Sequence, residues 1–182
     1  LLSSVQHIIV AGEALQISSI VRSFFIKYPH IQLINQYGPT ETHVVSQYIL
    51  PQRVDQWAVY PSIGMPINNV KFYVLDQFMH LTPPGIAGEL YIAGDNLAQG
   101  YWRNEEETQQ RFLDLVLGSQ QPMRIYRTGD KVRWEKEGYL TYLGRYDEQL
   151  KMRGYRIEPA EIESMVLTIP EVRQCRVITQ KS

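Results

Sequence analysis

Two hydrophobic rhythms share this chain, and the place near Pro61 where one replaces the other constrains the fold more than any single motif. Before that point, His7 to Val10 is a short apolar run closed by Ala11-Gly12. Ile17, Ile20, Val21, Phe24 and Tyr28 then recur at helical spacing until Pro29 stops them, and a second apolar run covers Ile31 to Ile34. Strand, helix and strand in this order make one βαβ step of a parallel sheet. Ligands of such sheets sit beyond the carboxyl ends of the strands, marked here by Gly12 and Asn35. After Pro61, β-rich stretches at Val70 to Leu75, Glu89 to Ile92, Val132 to Trp134 and Tyr139 to Leu143 alternate with turn clusters such as Pro83-Pro84-Gly85 and Glu137-Gly138. That pattern predicts a small antiparallel sheet or barrel. Beyond Arg145 a charged stretch leads to a helix opened by Pro159, with Ile162, Met165, Val166 and Ile169 on one face and Pro170 at its end. Cys175 to Thr179 reads as one more strand. The expected fold is α/β plus β, in three parts: 1–60 an α/β unit, 61–146 a β-rich unit, and 147–182 a hinge with the start of a small α+β unit.

Composition narrows the function classes. Eighteen basic and 19 acidic side chains leave a net charge of -1, which gives no electrostatic footprint for nucleic acid or an anionic membrane surface. A single cysteine, Cys175, excludes an internal disulfide framework. No apolar run is long enough to span a bilayer, and Leu1-Leu2-Ser3-Ser4 does not open a signal peptide, so a cytoplasmic protein is expected.

Three stretches carry candidate chemistry. Asn35-Gln36-Tyr37-Gly38-Pro39-Thr40-Glu41 brings an amide, an aromatic ring, a hydroxyl and a carboxylate to one Gly-Pro turn. Asn35 suits a purine amino group and Tyr37 can stack on a base. Thr40 can donate to a phosphate oxygen, and Glu41 can hold the Mg2+ that neutralises phosphates. Taken alone, the same residues also make an ordinary turn with a solvated Glu41. In Tyr126-Arg127-Thr128-Gly129-Asp130 a carboxylate follows a glycine turn, where Asp130 either holds ribose hydroxyls or caps a turn. The third stretch, Gly144 to Glu158, is too dense in charge for a buried strand and reads as a solvated hinge.

In this order, and with Gly88-Glu89-Leu90-Tyr91-Ile92-Ala93-Gly94 and Ala98-Gln99-Gly100-Tyr101-Trp102 between them, the stretches resemble the successive signatures of the adenylate-forming superfamily, specifically the adenylation domains of nonribosomal peptide synthetases. The resemblance covers nearly the whole chain. It implies that Gly12, Glu13 and Ala14 form a shelf opposite Tyr37 with adenine between them, and that Asn35 contacts the adenine amino group. Asp130 would hold the ribose beside Tyr142 and Arg145, while Thr40 and Glu41 would serve the phosphates and Mg2+. Asp147 matches the family's hinge, and Lys151, with Gly154, lies on the face used for thioester formation. Ile9, Ala11, Gln36, Val44 and Val45 are placed around the acyl side chain, which implies a mostly apolar substrate; the valines also fit simple strand packing. Lys131 stands where the family commonly has leucine.

The implied reaction is ATP-dependent activation of an amino acid or related carboxylic acid, followed by loading onto the phosphopantetheine of a carrier domain. The family's phosphate loop and its amino-group aspartate belong before Leu1, and its adenylation lysine beyond Ser182. The 182 residues are therefore expected not to run the reaction alone. The alternatives are a stand-alone acyl-CoA ligase, which shares the nucleotide site, and a non-catalytic degenerate module that docks a carrier or accessory protein.

Overall fold

The computed structural model describes residues 2–116, 121–147, 149–152 and 155–178. Strand β1 (His7–Val10), helix α1 (Ser19–Lys27) and strand β2 (Gln32–Tyr37) form the expected βαβ step, with β1 parallel to β2 and Ile9 in register with Ile34. Ser18 caps α1 by accepting from the Val21 amide at 3.3 Å. The helix packs Phe25 edge-on against Trp57 at 5.0 Å, within a core shared with Ile17, Ile31, Leu33 and Leu50.

The sheet is mixed beyond this pair. Strands β3 (Ser46–Ile49) and β4 (Met65–Pro66) add to it antiparallel, in the order β1-β2-β3-β4. Strands β5 (Val70–Leu75) and β6 (Ala87–Gly94) open a second, antiparallel sheet. Helix α2 (Glu105–Arg111) follows, and its sequence carries no apolar stripe. Its supports are local: Asn104 accepts from the Glu107 amide, and three glutamates occupy the positive first turn. Strands β7 (Phe112–Leu115), β8 (Met123–Trp134) and β9 (Leu140–Arg145) complete the second sheet.

One core joins the two sheets. Tyr37, Val45 and Ile63 from the first pack with Phe72, Val74, Leu90, Ile92, Val132 and Leu140 from the second. Burying large apolar side chains contributes about 1.5–3 kcal/mol each, so this shared layer holds the end of β2 firmly against β8 and β9.

Within the charged stretch read as a solvated hinge, two short strands pair antiparallel, β10 (Leu150–Met152) and β11 (Tyr155–Ile157). Backbone pairing satisfies N–H and C=O groups whatever the side chains carry, so charge density does not forbid it. Helix α3 (Pro159–Val166) starts at its proline as expected and exposes Ile162 and Met165. The last expected strand is a correction: Cys175 to Ile178 form no strand among the described residues, and Val177 donates its amide to Glu163 of α3. Apolar character cannot make a strand without an edge to pair with.

Candidate functional site

The longest strand changes partner halfway. Residues Met123 to Tyr126 of β8 pair with β7, whereas Asp130 to Trp134 pair with β9 on the same side. The intervening Arg127-Thr128-Gly129 spans the gap, and Gly129 adopts φ +76°, a conformation that glycine takes without steric cost. Thr128 donates its hydroxyl to the Leu90 carbonyl at 2.7 Å and accepts the Asp130 amide at 2.9 Å, which fixes the turn.

Asp130 emerges from this gap fully buried, 0% exposed. Its Oδ2 accepts the Tyr37 hydroxyl at 2.5 Å and its Oδ1 accepts Arg145 Nη1 at 2.8 Å. Arg145 also donates to Asp147, Nε to Oδ1 at 2.5 Å and Nη2 to Oδ2 at 2.6 Å. Such charge-assisted, bidentate geometry gives direction as well as strength. Burial, together with the negative charge of Asp130, pushes the Tyr37 hydroxyl well above its usual pKa and raises Tyr142 to about 12. Burial opposes the Arg145 charge, yet its bonds to Asp147 and the field of Asp130 hold its pKa above the ordinary value. Burial likewise opposes the Asp147 charge, and the Arg145 guanidinium overrides it, keeping the carboxyl below its usual pKa.

A cavity of about 510 Å3 opens beside this network, within the roughly 300–1,000 Å3 typical of small-molecule sites. Gly12, Glu13 and Ala14, from the loop after β1, form one part of its wall; Asn35, Gln36 and Tyr37, from the end of β2, form another. Tyr142, Arg145, Asp147 and Gln149 close it from the β9 side. The cavity therefore lies beyond the carboxyl ends of the parallel pair, where sheet topology places ligands. Asn35 is buried, and its amide nitrogen donates to the Ser62 carbonyl at 2.8 Å, which leaves its oxygen to accept from a ligand.

The Gly38–Thr42 turn follows directly. A methyl on Gly38 would stand 1.8 Å from the His43 carbonyl oxygen, so only glycine lets the chain double back there. Thr40 is exposed, while Glu41 is buried and accepts the Tyr101 hydroxyl at 2.6 Å. Neither residue lines the cavity. No cluster of three or more His, Cys, Asp or Glu side chains suited to a metal occurs among the described residues.

A family model for AMP-binding enzymes matches residues 1–102, more than half of the chain. The chain belongs to the AMP-binding enzyme family. Gramicidin S synthase 2 of Brevibacillus brevis is 44% identical over 177 residues, which cover 96% of this chain and 4% of that protein. Tyrocidine synthase 2 of Brevibacillus parabrevis is 43% identical over 176 residues, 96% of this chain and 5% of that protein. Among solved structures, PA1221, an NRPS protein containing adenylation and PCP domains, matches with a TM-score of 0.85 at 29% identity, over 100% of this chain and 36% of that one. The chain thus spans a small part of these synthases and about a third of that structure.

Several sequence-selected residues of this AMP-binding chain lie apart from the cavity. Ile9 is 57% exposed on the sheet face opposite α1, and strand alternation puts Gln36 on that same face. Ala11 is exposed in the loop after β1, and Val44 is half-buried. Val45 is 0% exposed within the core shared by the two sheets. Of the five residues expected around an acyl group, Gln36 lines the cavity. Lys151 lies in β10, but its side chain and all of Gly154 fall outside the described residues. Sequence reasoning did not single out Leu15, Tyr60, Pro61 and Ile63, which also line the cavity. The aromatic-proline pair Tyr60-Pro61, at the change of rhythm near Pro61, is the sequence signal that could have found them.

No helix among the described residues is long and apolar enough to cross a membrane.

Proposed function

We propose that this chain forms the nucleotide-binding part of an adenylation domain that activates an amino acid or related carboxylic acid with ATP and passes it to a phosphopantetheine thiol on a carrier domain. One observation carries the reading: Gly12 to Ala14, Asn35 to Tyr37, Tyr142 and Arg145, far apart in sequence, line a single cavity of nucleotide size. The peptide-synthase relatives favour a carrier thiol over free coenzyme A as acceptor. Such a synthetase works in the cytoplasm, where ATP is made available.

In this reading adenine lies between the Gly12–Ala14 loop and the Tyr37 ring, with its amino group donating to Asn35. Asp130 serves the ribose. It is closed off by Tyr37 and Arg145, so a ribose hydroxyl reaches it only when one of those partners shifts. Arg145, planar and permanently charged, faces ribose or phosphate oxygens. Thr40 donates to a phosphate oxygen. Mg2+ binds through few protein carboxylates when phosphates supply the rest, and Glu41 meets that requirement once released from Tyr101. Bound there, the metal supplies charge neutralisation at the phosphates.

The acid's carboxylate oxygen attacks the α-phosphorus, the bond to pyrophosphate breaks, and an acyl-adenylate results. The thiol sulfur then attacks the acyl carbon, loses its proton, and displaces AMP. The chain's contribution is positioning and electrostatics. Gln36, Ile9 and Ala11 offer the acyl side chain one wall, with Val44 beside them and Val45 as packing beneath. Residues 1–60 and 61–146 act as one body, Asp147 is the hinge, and Lys151 serves the carrier-facing pose of residues 147–182.

The test is ATP–pyrophosphate exchange across a panel of amino and hydroxy acids, using a protein that carries this sequence with the rest of an adenylation domain. Exchange is expected with at least one acid, and Asp130→Ala should abolish it. Full exchange by Asp130→Ala would overturn the ribose assignment.

A further inference from the structure

Asp147 is held from two sides. Arg145, two residues upstream in its own segment, grips both carboxylate oxygens. Arg111, at the end of α2, brings Nη1 to 3.6 Å from Asp147 Oδ2. The sheet dictates this meeting: β7 starts one residue after Arg111 with Phe112 opposite Tyr126, and β9 ends with Arg145 opposite Asp130. Both arginines therefore converge on the gap where β8 changes partner. Glu107 accepts from Arg111 Nε at 2.8 Å, one helical turn back, and aims the guanidinium there. Gly129 is the floor of the cluster. A methyl on it would stand 2.6 Å from Asp147 Oδ2, 2.7 Å from Arg145 Nη2 and 3.4 Å from Arg111 Nη1.

A single cation two residues upstream lets a carboxylate swing with the chain that follows it. A second cation on a separate element, here at 3.6 Å, restricts that freedom. The chain beyond Asp147 enters the cavity wall at once: the buried Gln149 lines it, donates its amide to Asp147 Oδ1 at 3.3 Å, and is hydrogen-bonded through its side chain to Glu158.

We infer that Arg111 is a positioning residue: clamping Asp147 over Gly129, it holds the segment after Asp147 in the pose that presents Gln149 to the nucleotide cavity. The inference rests on the adenylating function proposed above and adds a residue that the sequence motifs do not contain. Arg111 touches no substrate; it biases which of two poses the following segment adopts.

The experiment uses a protein carrying this sequence within a full adenylation and carrier pair. Pyrophosphate exchange and single-turnover transfer from preformed adenylate to the carrier are measured separately for wild type, Arg111→Gln and Arg111→Lys. Arg111→Gln is expected to lower exchange relative to transfer by about three- to tenfold, the scale of one half-buried ion pair. Arg111→Lys, which keeps the charge, should recover most of that ratio. An equal fall in both half-reactions, or no change in their ratio, overturns the inference, because a merely structural arginine would not separate them. Absence of ATP-dependent exchange in the wild type overturns the adenylating reading itself, and the inference with it.

Discussion

The Tyr37 hydroxyl donates a 2.5 Å hydrogen bond to Asp130, 93 positions along the chain, inside the shared core of the two sheets. The bond makes one aromatic ring both a cavity wall and a tie between β2 and β8. Removing the hydroxyl takes a hydrogen-bond donor away from a buried carboxylate, which costs about 1–3 kcal/mol. Tyr37→Phe is therefore expected to lower unfolding free energy by that amount in denaturant titration at neutral pH. The Tyr37 pKa is raised in the fold, so its contribution is complete below the unfolded value of 10.0 and is lost as pH rises beyond it. The gap between wild type and Tyr37→Phe should narrow above pH 10.0, and a constant gap would count against the bond.

Asn35 supplies a second prediction. Its amide nitrogen gives one of its two N–H donors to the Ser62 carbonyl, which fixes the orientation of the side chain, and its oxygen is the acceptor on offer to a base. A 6-amino purine can donate to it, whereas a 6-oxo purine presents a second acceptor. ITP should support exchange about tenfold or more less efficiently than ATP, since a site built for a donor rejects an analogue lacking it. Asn35→Ala should erase the preference. Equal kcat/KM for the two nucleotides in the wild type would remove Asn35 from base recognition.

Asp147 makes the acid side of the stability profile informative. Its folded pKa lies below the usual 3.8, because Arg145 and Arg111 favour the charged form despite burial. The unfolded chain therefore takes up the proton first. The stability that Asp147 contributes is complete above 3.8 and is lost as pH falls through the lower folded value. Comparing wild type with Asp147→Asn in urea from about pH 5 to about pH 2 should show the wild type losing its advantage across that interval. Parallel curves would mean the ion pairs contribute nothing net.

Glycine at 129 is open to a simpler check. Alanine there meets φ +76° and the Asp147 and Arg145 side chains together. The backbone conformation alone costs about 1–2 kcal/mol. Gly129→Ala should lower the melting temperature and also raise the KM for ATP, because the displaced Arg145 lines the cavity. A stability loss with an unchanged KM would separate the ion cluster from nucleotide binding.

What the sequence determined by itself is what short-range physics controls. Apolar spacing sets β1, α1 and β2, proline sets the start of α3, and Gly38 and Gly129 mark turns that other residues resist. The stretches containing Tyr37, Asp130 and Arg145 were legible as chemistry because each packs unusual side chains into a few residues. Tertiary structure decided the rest. Helix α2 has no apolar face to announce it, and its stability rests on a cap and on charges in its first turn. The direction of β3, the partner change within β8 and the missing strand at Cys175 to Ile178 all depend on which edge is available, and local sequence does not encode that. The burial of Asp130 beneath Tyr37 and Arg145, and the meeting of Arg111 with Asp147, arise only when β8 pairs first with β7 and then with β9. Strand pairing brings together residues that no local window of the chain contains, and the site is made of such residues.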